Sequence, residues 1–178
     1  MKKTLVWVFV AAIFLVGCDG NTPLMKLAQD GDAMQIKTAV AAGAALEERN
    51  KYGWTALMHA ARAGHVEAVR TLIDAGAKVD VRDDSGSTSL IRAATKGHVE
   101  MVNLLIERGA DANAVDENGW TALFWAVNRG HVAVVKPLIA GGASINIRDP
   151  GGRSPMQVAK MEGQNDVLQL LEEAGGKY

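Results

Sequence analysis

Short apolar runs with helical spacing alternate along most of the chain. One is Ala56-Leu57-Met58-His59-Ala60-Ala61-Arg62-Ala63, preceded by Thr55 and followed by Gly64. A threonine hydroxyl accepts one of the orphan N–H groups of a first helical turn, and glycine takes the left-handed conformation that ends a helix. The next run, from about Val66 to Ala75, sets Val66, Val69, Leu72 and Ile73 at i, i+3, i+6 and i+7, a single apolar stripe, before Gly76 closes it. A brief alternation, Lys78-Val79-Asp80-Val81-Arg82, then leads into the turn residues Asp83-Asp84-Ser85-Gly86. The pattern predicts two antiparallel helices followed by a short extended finger.

The same pattern returns every 33 residues. Thr22, Thr55, Thr88, Thr121 and Ser154 form one column; Gly31, Gly64, Gly97, Gly130 and Gly163 form a second; Gly43, Gly76, Gly109, Gly142 and Gly175 form a third. Pro23 and Pro155 follow their caps at the first helical position, where the missing N–H costs nothing. A repeat of this length cannot bury its apolar face alone, so five units must stack on one another. The first unit (Ala33, Ile36, Ala39, Val40) and the last (Asn165, Gln169, Glu172, Glu173) read as end caps. Pro137 falls inside the second helix of the fourth unit, where proline costs about 3 kcal/mol, and predicts a kink or an altered helix start.

These residues resemble the ankyrin repeat. The resemblance rests on Asn118-Gly119-Trp120-Thr121-Ala122-Leu123, Gly97-His98-Val99-Glu100-Met101-Val102 and Gly109-Ala110-Asp111-Ala112-Asn113-Ala114. It covers about residues 21–176 and implies an all-α solenoid of helix-turn-helix pairs with short β-turn fingers, the repeat domain occupying 22–178. The family's Thr-Pro-Leu-His histidine is missing from all five units, where Met25, Met58, Ile91, Phe124 and Gln157 stand instead. An apolar contact is expected to replace the polar link at four of those positions. The resemblance also implies that His65, His98 and His131 are structural, holding the inter-helix turn through backbone hydrogen bonds. A shared metal is disfavoured on other grounds, since helix layers 8–10 Å apart do not let successive imidazoles reach one zinc at about 2 Å.

The first twenty residues follow another rule. Met1-Lys2-Lys3 is basic, and Leu5 to Gly17 is an uncharged run too short for a membrane span, which needs about 20 apolar residues. It has the length of a signal-peptide core. It ends in Leu15-Val16-Gly17-Cys18, which resembles the lipobox of bacterial lipoproteins. That resemblance implies removal of residues 1–17, lipidation of Cys18, a short linker over 18–21, and a membrane anchor on the periplasmic face of the envelope. Asp19 resembles the signal that retains lipoproteins in the inner membrane.

Composition narrows the function. Lys and Arg number 19 against 20 Asp and Glu, and the net charge of −1 argues against nucleic acid as a partner. With 48% apolar and 22% charged residues the chain can bury a core, which excludes disorder. A single cysteine excludes an internal disulfide framework and a thiolate-rich metal site. Ser85-Gly86-Ser87 lies in a repeat turn rather than a nucleophile elbow, and the glycines are helix stops without a following phosphate-loop lysine. No cofactor, no metal and no catalytic residue is expected, and the chain is expected to act as a monomer.

Positions the repeat does not dictate are the candidates for binding. In ankyrin proteins the turn tips and the outward face of the first helix form a concave binding surface. Here that surface would carry Tyr52, Trp54, His59, Arg62, Arg92, Lys96, Trp120, Trp125, Asn128 and Arg129. Tryptophan, tyrosine and arginine are the residue types enriched at interface hot spots. Five basic residues (Lys26, Arg62, Arg92, Lys96, Arg129) against two acids (Asp30, Glu162) on the first-helix columns point to a protein partner with an acidic patch. Trp125 and Arg92, one unit apart in a column, are expected to be free to anchor it. The reading is a lipid-anchored binding protein, either an inhibitor or immunity protein for an envelope hydrolase or toxin, or a scaffold or stress-protection partner; an enzyme comes third.

Overall fold

A computed structural model describes residues 19–177. The leader and Cys18, and with them the signal-peptide and lipidation assignments, lie outside the described residues. Ten helices follow in chain order: α1 (Pro23–Asp30), α2 (Ala33–Ala41), α3 (Ala56–Ala63), α4 (Val66–Asp74), α5 (Ser89–Lys96), α6 (Val99–Glu107), α7 (Ala122–Asn128), α8 (Val132–Ala140), α9 (Pro155–Met161) and α10 (Asn165–Glu173). Among the described residues there is no strand, and no helix is long and apolar enough to cross a membrane.

The threonine and serine column caps every first helix. The side chains of Thr22, Thr55, Thr88, Thr121 and Ser154 accept the backbone N–H three residues on, from Met25, Met58, Ile91, Phe124 and Gln157. In the last unit Gln157 returns the bond, its Oε1 accepting the Ser154 N–H at 2.8 Å. The odd-numbered helices pack in one row and the even-numbered in a second, each unit against the next. Leu72, Leu105, Leu138 and Leu171 form one fully buried column between the rows, each worth about 2 kcal/mol of apolar burial. Ala60, Ala93, Ala126 and Ala159 are fully buried where neighbouring helices approach closely. As expected, Met25, Met58, Ile91 and Phe124 are buried at the positions of the missing histidine.

Polar ladders reinforce the stack. His65 Nε2 meets Gln29 O at 3.0 Å, His98 meets Arg62 O at 3.0 Å, and His131 meets Thr95 O at 3.0 Å. The histidines are therefore structural and bond backbone carbonyls as expected, and the turn each one holds is that of the preceding unit. Each ring lies against a glycine of that unit. A Cβ on Gly64, at φ +83°, would stand 3.0 Å from the His98 ring. A second ladder joins finger bases, where Glu47, Asp80, Asn113 and Asn146 accept the backbone N–H of Lys78, Asp111, Ser144 and Lys177. The helix that carries Pro137, α8, starts differently from its counterparts. In α4 and α6 the N–H groups of Val69 and Val102 reach back four residues, whereas in α8 the Val134 N–H reaches back three, to His131 O at 3.0 Å.

The first finger begins earlier than the expected linker allows. Asp19 Oδ1 accepts the Asn21 N–H at 3.1 Å, Gly20 has φ 74° like the finger glycines Gly53, Gly86, Gly119 and Gly152, and Asn21 is buried. Among the described residues the repeat stack is already in place at Asp19.

Candidate functional site

Every later finger is held by one acidic or amide side chain at its base. Asn50 Oδ1 accepts the N–H groups of Tyr52 and Trp54 at 2.9 and 3.0 Å. Asp83 does the same for Ser85 and Ser87, and Asp116 for Asn118 and Trp120. Asp149 accepts from Arg153 N. A carboxylate so used keeps a second oxygen aimed into the groove between fingers and first helices. That oxygen is buried and needs a donor.

The donors are the groove residues themselves. Arg92 Nε donates to Asp83 Oδ2 at 3.0 Å, with its Nη2 also in contact. Trp125 Nε1 donates to Asp116 Oδ2 at 2.8 Å. Arg153 donates to Asp149 Oδ2 from Nε and Nη2 at 2.9 and 2.7 Å, and the Trp120 side chain bonds the same carboxylate. Burial alone would raise the Asp149 pKa; the Arg153 bonds and charge, with Trp120, outweigh it and hold the group below its ordinary value. Arg92 and Trp125 are thus not free anchors, contrary to the sequence expectation: each is committed to the finger of its own unit.

Indole and guanidinium faces alternate along the groove. Trp54 lies between Arg62 (5.3 Å) and Arg92 (4.7 Å) and meets the edge of His59 at 5.1 Å. Trp120 stacks on Phe124 at 5.9 Å and meets Trp125 edge-on at 4.9 Å, while Arg129 covers Trp125 at 5.6 Å. His59 is a second correction. It is only 9% exposed, with Nε2 3.4 Å from Asn50 Nδ2. Burial lowers its pKa, with the Asp19 charge opposing and the Arg62 charge adding to the shift.

The structure gathers five of the predicted residues, Tyr52, Trp54, His59, Arg62 and Arg92, around one open recess of about 750 Å³. Lys96 and Arg129 meet in a smaller recess of about 310 Å³ with Thr95 and His131. Trp120, Trp125 and Asn128 line neither. Tyr52 is 54% exposed, among the most open large apolar side chains described. Sequence reasoning missed Asp19, Asn21 and Asn50, which wall the larger recess. Asn50 was visible as the member of the Asp83, Asp116, Asp149 column nine residues before His59. Asn21 Oδ1 accepts from Asn50 Nδ2 at 2.6 Å, closing the wall.

Ser85 Oγ donates to Asp83 Oδ1 at 2.7 Å and accepts from Arg92 Nη2 at 2.9 Å, so it is part of the network that holds the finger. Among the described residues no group of three or more His, Cys, Asp or Glu side chains is placed to hold a metal ion.

No characterised protein compared with the chain matches it significantly. A family profile describing ankyrin repeats in three copies matches residues 3–83, 24–116, 72–149 and 90–177 in overlapping registers. The repeat period, the capped helix pairs, the histidine ladder and this match agree, and the chain belongs to the ankyrin-repeat family.

Proposed function

We propose that this protein is a lipid-anchored periplasmic binding module whose finger groove takes hold of another protein of the cell envelope. Ankyrin-repeat proteins are generally protein-binding modules and not enzymes. The observation that carries the reading here is the larger recess, where exposed Tyr52 and the Trp54 face flanked by Arg62 open beside one another. An aromatic anchor beside a guanidinium is the combination on which interface energy concentrates. Anchoring through Cys18 would set this recess against the membrane surface, because Asp19 is both the residue after the anchor and part of the recess wall. A membrane-proximal partner, held in place or blocked, follows from that placement.

The favoured role is an inhibitor or immunity protein for an envelope hydrolase or toxin; a scaffold or protection partner is the second. The test is capture from detergent-solubilised envelopes by the wild-type chain, Tyr52→Ala, Arg62→Glu and the outer-helix variant Glu100→Ala. A partner lost with the first two and kept with Glu100→Ala supports groove binding; one lost only with Glu100→Ala refutes it. Activity of the captured protein then separates blocking from holding. Cys18→Ser should abolish labelling by a palmitate analogue, and persistent labelling would remove the anchor.

A further inference from the structure

Building on the groove-binding reading, we infer that the partner presents an α-helix with three acidic side chains spaced a heptad apart and bracketed by basic ones. The argument starts at the C-terminal ends of the first helices. Asp30 ends α1, Arg62 lies in the last turn of α3, Lys96 ends α5, Arg129 caps α7 and Glu162 caps α9. All five are exposed. Along the stack these helix ends read acid, base, base, base, acid, with Arg62 standing one residue before the column of the other four and Lys160 adding a second charge in the last turn of α9.

None of the three bases forms an ion pair with a described residue. Arg62 and Arg129 instead lie over the rings of Trp54 and Trp125, which fixes their guanidinium planes without neutralising them. The acids deeper in the groove do not compete, because Asp83 and Asp149 are paired with Arg92 and Arg153 and Asp116 with the Trp125 indole. The negative end of a helix dipole welcomes a base, so local stability alone would account for Arg62, Lys96 and Arg129. It does not account for Asp30 and Glu162, which oppose the dipole at the same position. A complementary surface with reversed charge explains all five.

Spacing selects a helix. Packed helices stand 8–10 Å apart, and a helix rises 1.5 Å per residue, so a heptad advances about 10 Å and returns to the same face. A helix along the groove edge would set acids at i, i+7 and i+14 against Arg62, Lys96 and Arg129. Bases at i−7 and i+21 would then meet Asp30 and Glu162. The recesses beside Arg62 and between Lys96 and Arg129 leave room for the carboxylates. A nucleic acid would meet the same bases but be repelled by Asp30 and Glu162 at both ends.

The probe is a labelled alanine- and glutamine-based helical peptide with Lys, Glu, Glu, Glu, Lys at successive heptad positions. Its controls are a peptide of identical composition with those charges distributed around the helix, a charge-inverted peptide, and a single-stranded oligonucleotide. Anisotropy is read against the full-length chain in neutral detergent. The heptad peptide should bind about ten-fold more tightly than its permuted control, as three exposed pairs allow. Arg62→Glu/Lys96→Glu/Arg129→Glu should abolish that binding and instead bind a peptide with Lys at all five heptad positions, a rescue that an unfolded variant could not give. Equal binding of heptad and permuted peptides, unchanged binding by the triple variant, or equal affinity for the oligonucleotide would overturn the inference. If Tyr52→Ala loses an envelope partner that the triple variant keeps, the heptad partner is refuted while the groove reading stands. If neither variant loses it, both fall.

Discussion

Arg92 closes on Asp83 from nine residues away, its Nε donating to Oδ2 at 3.0 Å at the base of the finger. The Asp83 side chain is fully buried and that of Arg92 is 24% exposed, so the pair sits at the boundary of solvent. Removing the arginine leaves a buried carboxylate oxygen without its charged donor. Arg92→Ala should lower folding stability by about 2 kcal/mol, as for a hydrogen bond to a charged group and less than for a fully buried pair, because Arg92 is partly exposed. Arg62→Ala, which removes a groove arginine without an ion pair, should stay within about 0.5 kcal/mol of wild type. Urea midpoints measure both; equal midpoints would show that the pair contributes nothing to the finger.

Trp125 holds the next finger in the same manner, through a neutral donor. Trp125→Phe keeps an aromatic ring beside Trp120 but removes the Nε1–H that reaches Asp116 Oδ2 at 2.8 Å. A loss of about 1–2 kcal/mol is expected, and Trp125→Ala should cost more, about 3 kcal/mol, through lost packing. A double-mutant cycle with Asp116→Asn should return a coupling of about 1 kcal/mol. Strict additivity would mean that the indole is held by packing alone. Loss of partner binding in Trp125→Ala therefore has to be judged beside its stability.

Repeat architecture was legible because it is written three times over, in caps, stops and apolar stripes sharing one period. Thr55 predicts its cap and Leu72 its burial from position alone. Which groove side chains are free was not legible, because that depends on the second oxygen of the finger carboxylate. Asp83 and Arg92 are nine residues apart in sequence, a separation that no helix or strand period brings together. Only the finger's fold-back over its own first helix does so. The same geometry buries His59, whose column mates Arg92 and Trp125 are long enough to stay partly in solvent. The start of the stack was hidden for a different reason. Asp19 and Asn21 stand where the next finger has Tyr52 and Trp54, and both positions vary from finger to finger, so the column is recognisable only through Gly20.

Acid should act on the protein in two windows. His59 has its pKa lowered from 6.5 in the folded state, chiefly by burial, so the unfolded chain binds its proton more readily. Stability from this group is full above about pH 6.5 and falls as pH drops toward the folded value. Asp149 is lowered from 3.8: burial opposes the shift, but the Arg153 bonds dominate it, so its contribution is present above 3.8 and is lost at still lower pH. Melting temperature against pH should decline first below 6.5. His59→Gln should flatten that first decline and leave the acid limb, whereas Asp149→Asn should do the reverse. An unchanged decline in His59→Gln would assign it to another group.

The histidine ladder has one missing rung. In the last unit Gln164 occupies the position of His65, His98 and His131, and its buried Oε1 has no hydrogen-bond partner. Its Nε2 lies 3.6 Å from where a Cβ on Gly130 would stand. The receiving turn is ready for a ring, since Gly130 has φ 70° and Gly97, which receives His131, has φ 75°. By the period, the acceptor is the Asn128 carbonyl, the counterpart of Gln29, Arg62 and Thr95. Gln164→His should therefore add a bond and remove an unpaired buried oxygen, for a gain of about 1 kcal/mol and a rise in melting temperature of about 3 °C. Hydrogen exchange should slow in α9 and α10 more than in the first unit, because a terminal repeat opens locally before the stack does. Gln164→Leu separates the two contributions, as it removes the orphan oxygen without supplying a bond. Stabilisation by leucine equal to that by histidine would show that relief of the orphan, and not the ladder bond, is the source.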